Sequence, residues 1–332
     1  VATINQNGLP TLFDLAKRMD PDGSIAEIAE TLTIESPLLQ DLQWKEANGV
    51  DGHLVTTRTT LPALTWRRYN EGIDAAKSNT GQYTETLGML EGRSVVDVDL
   101  AKRNGNSDAY RQSEDKAFVQ SFYRTLETAF FYASTKTDPE QIHGLAPRFD
   151  ALSGLTYQSQ VISFGAAAGA DNSSVWLIGH GDRKVYGLYP KGEEGTAGLS
   201  QEDMGIEYEA DSNNKKFRAY RTHFQWKCGL CVEDARYVVR LCNIDDDVLV
   251  DTGNALIFKL AEMLEQINSL EGCKPVFYMS RRVRSFLRRQ CIDSTKNSTL
   301  TYENVGGKPV LMFSGVPIHR SDAILNTESP VT

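Results

Sequence analysis

The chain has 332 residues, of which 40% are hydrophobic, 24% charged and 9% aromatic; this excludes a disordered polymer and leaves room for two or more subdomains. Thirty-five Lys and Arg against 44 Asp and Glu give a net charge of −9 at pH 7, which excludes a chain-wide electrostatic grip on nucleic acid. No apolar run reaches the ~18 residues of a membrane helix, and Val1-Ala2-Thr3-Ile4-Asn5 lacks the basic and apolar regions of a secretory signal, so Val1 is expected to follow a removed initiator Met.

Residues 1–48 read as short helices and turns. Thr11 is placed to cap a helix over 12–19, and Asp20-Pro21-Asp22-Gly23 to turn. Ser24, with Glu27 as its capping-box partner, starts a helix over 25–32. Two short helices have little core of their own, so this segment is expected to lie on another surface.

Residues 49–105 read as a long hairpin. One arm is the β-branched run 53–60, ended or held at an edge by Pro62. The other is 93–100, where Val96, Val98 and Leu100 alternate with Val95, Asp97 and Asp99. A polar tip over 74–82 carries Lys77. Such a hairpin has too little apolar content to stand alone. It needs a partner surface, either the body of a monomer or a neighbour in an assembly.

A helix is predicted over 108–134, capped by Asp108 or Ser113. Phe118, Phe122, Leu126, Ala129, Phe130 and Ala133 share one face. At ~1.5 Å per residue it is roughly 40 Å long, and Thr137-Asp138-Pro139 stops it. Residues 174–244 are strand-rich, with Gly179-His180-Gly181-Asp182 and Asp211-Ser212-Asn213-Asn214 as turns. A second helix over 252–272 aligns Leu256, Leu260, Met263, Leu264 and Ile267. A strand over 275–279 follows, then a helix capped by Ser280 with Val283, Phe286 and Leu287 inward. Strands at 309–313 and 316–319 flank a Ser314-Gly315 turn.

Residues that carry chemistry are sparse. There is no Gly-X-Ser-X-Gly and no phosphate loop with a following Lys-Ser/Thr. His53, His143, His180, His223 and His319 are scattered and form no metal-ligand spacing. The glycines around His180 read as a tight turn, Asp245-Asp246-Asp247 as a solvated helix start, and residues 165–169 as a loop. Five cysteines, Cys228, Cys231, Cys242, Cys273 and Cys291, are odd in number and read as reduced thiols. Cys228 and Cys231 have Cys-X-X-Cys spacing but interrupt a strand and lack a second pair, so they read as small buried hydrophobes. No catalytic residue, metal ligand or cofactor site is assigned.

Two basic clusters stand out in this acidic chain. Arg281, Arg282, Arg284, Arg288 and Arg289 crowd one short helix. A solvated face, a contact to an acidic neighbouring subunit and a local phosphate contact all remain open there. Arg58, Arg67 and Arg68 flank Trp66 and Tyr69 in the hairpin, a mixture that protein interfaces favour.

The order of elements resembles the major capsid protein of tailed double-stranded DNA phages, the Hong Kong 97 fold. Thr11-Leu12-Phe13-Asp14-Leu15-Ala16-Lys17-Arg18, Leu61-Pro62 with Trp66-Arg67, and Thr80-Gly81-Gln82 are similar to coat sequences of short-tailed phages. The resemblance covers essentially the whole chain. It implies an α+β fold with an N-terminal arm at 1–48, an extended loop at 49–105 and a spine helix of the peripheral domain within 106–148. It further implies an axial-domain segment at 149–200, a peripheral sheet at 201–248 and the axial domain at 249–332. Strands before the later helices resemble the permuted connectivity of Bordetella-phage and epsilon-fifteen-type coat proteins.

The implied role is structural, not enzymatic, and needs no cofactor. Homo-pentamers and homo-hexamers would close an icosahedral shell around double-stranded DNA without sequence specificity and without a membrane. A cement or decoration protein, a scaffolding protein and a portal are the further partners implied. The place implied is the virion, assembled in the host bacterial cytoplasm. Inter-subunit contacts would use Arg58, Trp66, Arg67, Arg68, Tyr69 and Lys77 in the extended loop, and Arg281, Arg282, Arg284, Arg288 and Arg289 on the axial helix. Some relatives cross-link Lys to Asn; Lys77 lies near Asn79, but non-covalent interlocking is expected. An encapsulin-like nanocompartment and a soluble enzyme without a recognisable motif are the alternatives; a decoration or tail protein fits the long helix poorly.

Overall fold

A computed structural model of the chain describes residues 36–49, 52–103, 107–153, 158–165, 171–192, 199–211, 213–245, 255–292, 300–305 and 308–332. The helices expected over 12–19 and 25–32, with Asp246, Asp247 and residues 166–169, lie outside the described residues.

The centre of the molecule is β6 (Asn172–His180), whose nine residues are all buried. It runs antiparallel to both β10 (Val238–Asp245) and β11 (Lys274–Met279). Strand alternation sends Trp176 and Ile178 to one face and Val175 and Leu177 to the other. The first face packs on α3 (Ser107–Tyr132), with the rings of Phe131 and Trp176 6.1 Å apart. The second packs on α4 (Ala255–Gln266) and α5 (Arg281–Ile292). Cover on both faces explains why β6 is an unbroken buried run and not an alternating one.

The helices present what this sandwich requires. On α4, Leu256, Leu260 and Met263 recur at three- and four-residue spacing and are fully buried. On α5, Val283 and Leu287 do the same, and Ser280 sits at its start, its Oγ facing the Val283 N–H at 3.5 Å. On α3, Phe122, Leu126 and Phe130 form the inward stripe.

A second lobe of sheet hangs on β9 (Lys216–Val232), which pairs along its length with β4 (Gly88–Asp97) and β8 (Ser200–Ala210). Its far end pairs with β7 (Val185–Tyr189), and β7 pairs with β1 (Trp44–Glu46). Phe224, Trp226 and Cys228 lie beneath α3, and Phe118 stacks on Phe224 at 5.5 Å. Gly92 lets the helix come close: a Cβ there would sit 2.9 Å from the Phe122 ring. The opposite face is polar, with Arg221 held by Glu207 and Glu209.

The hairpin differs from its expected form. Its arms are β2 (Gly52–Thr60) and β3 (Asn79–Thr86), in register from Gly52↔Thr86 to Thr60↔Asn79. Residues 93–97 instead belong to β4, and 98–102 form α2 (Val98–Lys102), capped by the Asp97 carboxylate, which accepts from the Asp99 N–H at 2.8 Å. The alternation expected over 93–100 does not hold: Ser94, Val95 and Val96 are buried in succession, Val98 to Leu100 are helical, and Val96 packs with Ala101 and Tyr110 on a strand paired with β9, not β2. Residues 79–82, expected in the tip, are strand. Ser113 lies inside α3 and is not its cap. Gly179 and His180 end β6, and the turn falls at 181–184, where the Lys184 N–H donates to the Gly181 carbonyl at 3.2 Å. The tail adds β13 (Lys308–Phe313) and β14 (Val316–Arg320), and also β12 (Leu300–Val305), which periodicity alone missed.

Phe131 is fully buried between α3 and the central sheet. Phe131→Ala should therefore cost about 3–5 kcal/mol, seen as a clear fall in the thermal midpoint; an unchanged midpoint would contradict this packing.

Candidate functional site

The hairpin is held at its root and bare at its end. Glu85, buried on β3, accepts both Arg148 terminal nitrogens at 2.6 Å, one on each carboxylate oxygen. Arg148 also donates to the carbonyls of Gly144 at 3.1 Å and His143 at 2.9 Å. Beside it Tyr83 donates to the Val232 carbonyl at 2.8 Å, and Tyr186 lies 3.1 Å from His53 Nε2 and donates to Glu233 at 2.9 Å. Val55, Leu188 and Cys231 fill the space between.

Beyond Thr57 the arms leave the body, and Arg58, Thr59 and Thr60 are exposed. The connection 61–78 contains no strand or helix, and a turn closes where the Glu71 N–H donates to the Arg68 carbonyl at 3.3 Å. It carries Leu61, Leu64, Trp66, Tyr69 and Ile73, all in water; Trp66 is 101% and Leu64 92% exposed. Single exposed apolar residues are ordinary, but five on one projecting loop mark a contact surface. Arg58, Arg67, Arg68 and Lys77 make no ion pair among the described residues.

Thus the loop residues expected from sequence do cluster on one projection. Leu61, Leu64 and Ile73 were missed, because apolar residues in a loop carry no periodicity. Glu85 and Arg148 were missed because 63 positions separate them.

On α5, Arg281, Arg282, Arg288 and Arg289 are exposed on the side opposite Val283 and Leu287, while Arg284 is half-buried. Arg281 bonds Asp322 at 3.2 Å within the chain. The two arginine groups are therefore separate features, one on a helix face and one on a loop.

Three buried carboxyl groups tie the strands of the structure together. Asp41 accepts from Lys274 at 2.6 Å and Tyr278 at 2.7 Å and meets His319 Nδ1 at 2.7 Å. Burial alone would raise its pKa, but these hydrogen bonds outweigh burial and hold it well below the usual carboxylate range. Glu328 receives Arg240 at 2.8 Å, together with the hydroxyls of Tyr132 and Ser174. Glu127, fully buried on α3, accepts from Ser321 at 2.9 Å; burial outweighs that bond and pushes its carboxyl up to about 7.

His180 and three of the cysteines are packed in the interior. His180 is buried against the Tyr278 hydroxyl at 2.8 Å, and burial lowers its pKa to about 4. Cys228, Cys231, Cys242 and Cys273 are free thiols, and burial raises the first two to about 12, so they are unreactive. Among the described residues no cluster of His, Cys, Asp or Glu is set to hold a metal ion. No described helix is long and apolar enough to cross a membrane.

A long helix and an interlocked sheet together project an exposed loop with apolar anchors, the kind of surface that meets another protein. The chain is similar to one in the near-atomic cryo-EM structure of bacteriophage epsilon15, with 34% identity and a TM-score of 0.78 over 100% of this chain and 99% of that one. A chain of the bacteriophage JBD30 capsid shares the fold at 8% identity and a TM-score of 0.52, over 90% of this chain and 95% of that one. The class is thus the Hong Kong 97-like phage capsid fold, mixed in helix and sheet. Residues 20–332 match the family described as major capsid protein GP7, and the chain belongs to that family. It is a structural capsid protein of a phage virion and associates with copies of itself. No curated protein matches the sequence.

Glu127 gives this fold a pH dependence of known sign. Its folded pKa lies above its unfolded value, so stability is lost as pH rises from about 4 through 7. Glu127→Gln should remove that loss, and the thermal midpoint of the variant relative to wild type should climb across this window. A difference that stays flat with pH would contradict the burial of an ionisable group there.

Proposed function

We propose that the subunit forms homo-pentamers and homo-hexamers that close an icosahedral head around double-stranded DNA. The carrying observation is the loop 61–78, which exposes Trp66, Leu64 and Tyr69, with no packing on them from the described residues. That loop rests on a neighbour, and Arg58, Arg67, Arg68 and Lys77 pair with acidic groups of that neighbour. The arginine face of α5 makes a second inter-subunit contact through Arg281, Arg282, Arg284, Arg288 and Arg289.

The chain divides into an arm at 1–48, an extended loop at 49–105, a spine segment at 106–148 and a peripheral sheet at 201–248. Residues 149–200 and 249–332 build the axial domain together. The pairing of β6 with β11 supports this, since it joins both stretches in one sheet; β10, although within 201–248, pairs with β6 in that same sheet. Strands β6 to β10 precede α4 and α5 in the chain, in keeping with a permuted connectivity. Packaged DNA is held without sequence reading, as suits a net charge of −9. A scaffolding protein, a portal and a cement protein are the further partners, and assembly takes place in the host bacterial cytoplasm.

Arg58→Ala, Arg67→Ala and Arg68→Ala together should leave a folded subunit by circular dichroism but reduce shell yield several-fold by negative-stain microscopy. Normal yield and heat resistance would refute the charge-pair role. Boiled mature particles should run as monomers on a denaturing gel, since interlocking is non-covalent; covalent ladders would show a Lys–Asn cross-link instead.

A further inference from the structure

The molecule also carries an open groove that no described residue fills. It has a volume of about 740 Å³ and lies between the C-terminal half of α3, the start of β4 and the segment that follows β14. Its apolar lining includes Met89, Ala129, Ala133 and Leu325, and its charged lining is three acids, Asp138, Glu140 and Asp322, against one cation, Arg124. Met89 and Leu325 are half exposed at 58% and 43%, and Asp138 and Glu140 are exposed. The volume falls in the range of sites that bury large groups.

The hairpin end has the opposite chemistry. It offers aromatic and aliphatic anchors, Trp66, Leu64 and Tyr69, beside two adjacent cations, Arg67 and Arg68. An apolar anchor flanked by cations fits an apolar lining whose charged groups are mostly acids. Among the described residues neither half of this match is filled within one copy: Trp66 is wholly exposed and the groove is open. We infer that Trp66 of one subunit seats in the α3–β4 groove of a second copy of this chain, with Arg67 and Arg68 on Asp138 and Glu140. This rests on the shell-subunit function proposed above and gives the neighbour's side of that contact.

The pairing generates head-to-tail contacts, because the loop and the groove are different surfaces. Head-to-tail contacts build rings when the rotation closes.

The test is disulfide trapping in shells of the full chain carrying Trp66→Cys with Leu325→Cys. Under mild oxidant the double variant should give dimers and longer ladders that a reductant dissolves. Each single variant, which keeps the native thiols, should stay monomeric. Shells that form without ladders, or ladders equally strong in the single variants, would overturn the groove assignment while leaving the shell function intact. If the wild-type protein itself forms no shells, the shell function fails and the groove assignment with it. Charge reversal decides independently of cysteines. Asp138→Lys with Glu140→Lys should lower shell yield several-fold, and adding Arg67→Glu with Arg68→Glu should restore it. Absence of rescue, as when residues 1–35 fill the groove instead, would overturn the proposal.

Discussion

The bidentate bond between Arg148 and Glu85 is the constraint on which the working part of this structure depends. A loop that projects apolar residues into water is useful only if its root fixes where it points. Arg148 is suited to this, because its planar fork meets both carboxylate oxygens at once and sets orientation as well as distance. Glu85 is buried, so losing its partner would leave an uncompensated charge, a cost of about 3–5 kcal/mol. Arg148 is itself anchored to the long helix, since the N–H groups of Gly144 and Leu145 donate to the Ala133 and Phe130 carbonyls at 2.8 and 2.9 Å. Gly144 permits that approach: a Cβ there would sit 2.7 Å from the Ala129 carbonyl oxygen. Helix, root and loop therefore form one lever.

The same device recurs where distant stretches of chain are brought in. Asp41 binds the segment ahead of β1 to β11 and β14, and Glu328 binds the last residues to β10 and α3. Hydrophobic burial supplies most of the folding free energy but is indifferent to exact register. A buried carboxylate with named donors tolerates only one arrangement, since each unmade bond costs about 1–3 kcal/mol. Trp44 adds a steric version, its ring lying where any Cβ at position 187 would be, so that Gly187 admits β1 to the edge of β7. These cross-ties explain why the chain is one interwoven body and not a string of separable domains.

What the sequence revealed follows from the range of the interactions involved. The helices were legible because Phe122, Leu126 and Phe130, or Leu256, Leu260 and Met263, repeat their period within one element. The strand-rich middle was legible from β-branched runs and turn residues. The partner of β2 was not, because the valines at 95, 96 and 98 read as strand more strongly than the polar run 79–86 does. Only the pairing of β4 with β9, about 130 positions later, decides between them. The exposed anchors were half legible. Trp66 and its arginines stood out by composition, whereas Leu61, Leu64 and Ile73 gain meaning only once they are found exposed, with no described residue covering them. The groove has no sequence signature at all, as it joins α3, β4 and the tail.

The magnitudes also sort the roles of the loop residues. A surface ion pair contributes about 0–1 kcal/mol and weakens with salt. Burying one large aromatic side chain removes about 150–250 Å² from water, or several kcal/mol at about 25 cal/mol per Å². The aromatic and aliphatic anchors therefore dominate the strength of any contact the loop makes, and the arginines chiefly steer its orientation and exclude wrong registers. In a chain of net charge −9 that division has a consequence. Like-charged subunits repel one another, and on the contacts proposed above a local cluster of cations reverses the sign of the field where two copies meet. Many such contacts, each weak alone, then close a shell that is strong as a whole because a subunit must break several of them at once to leave.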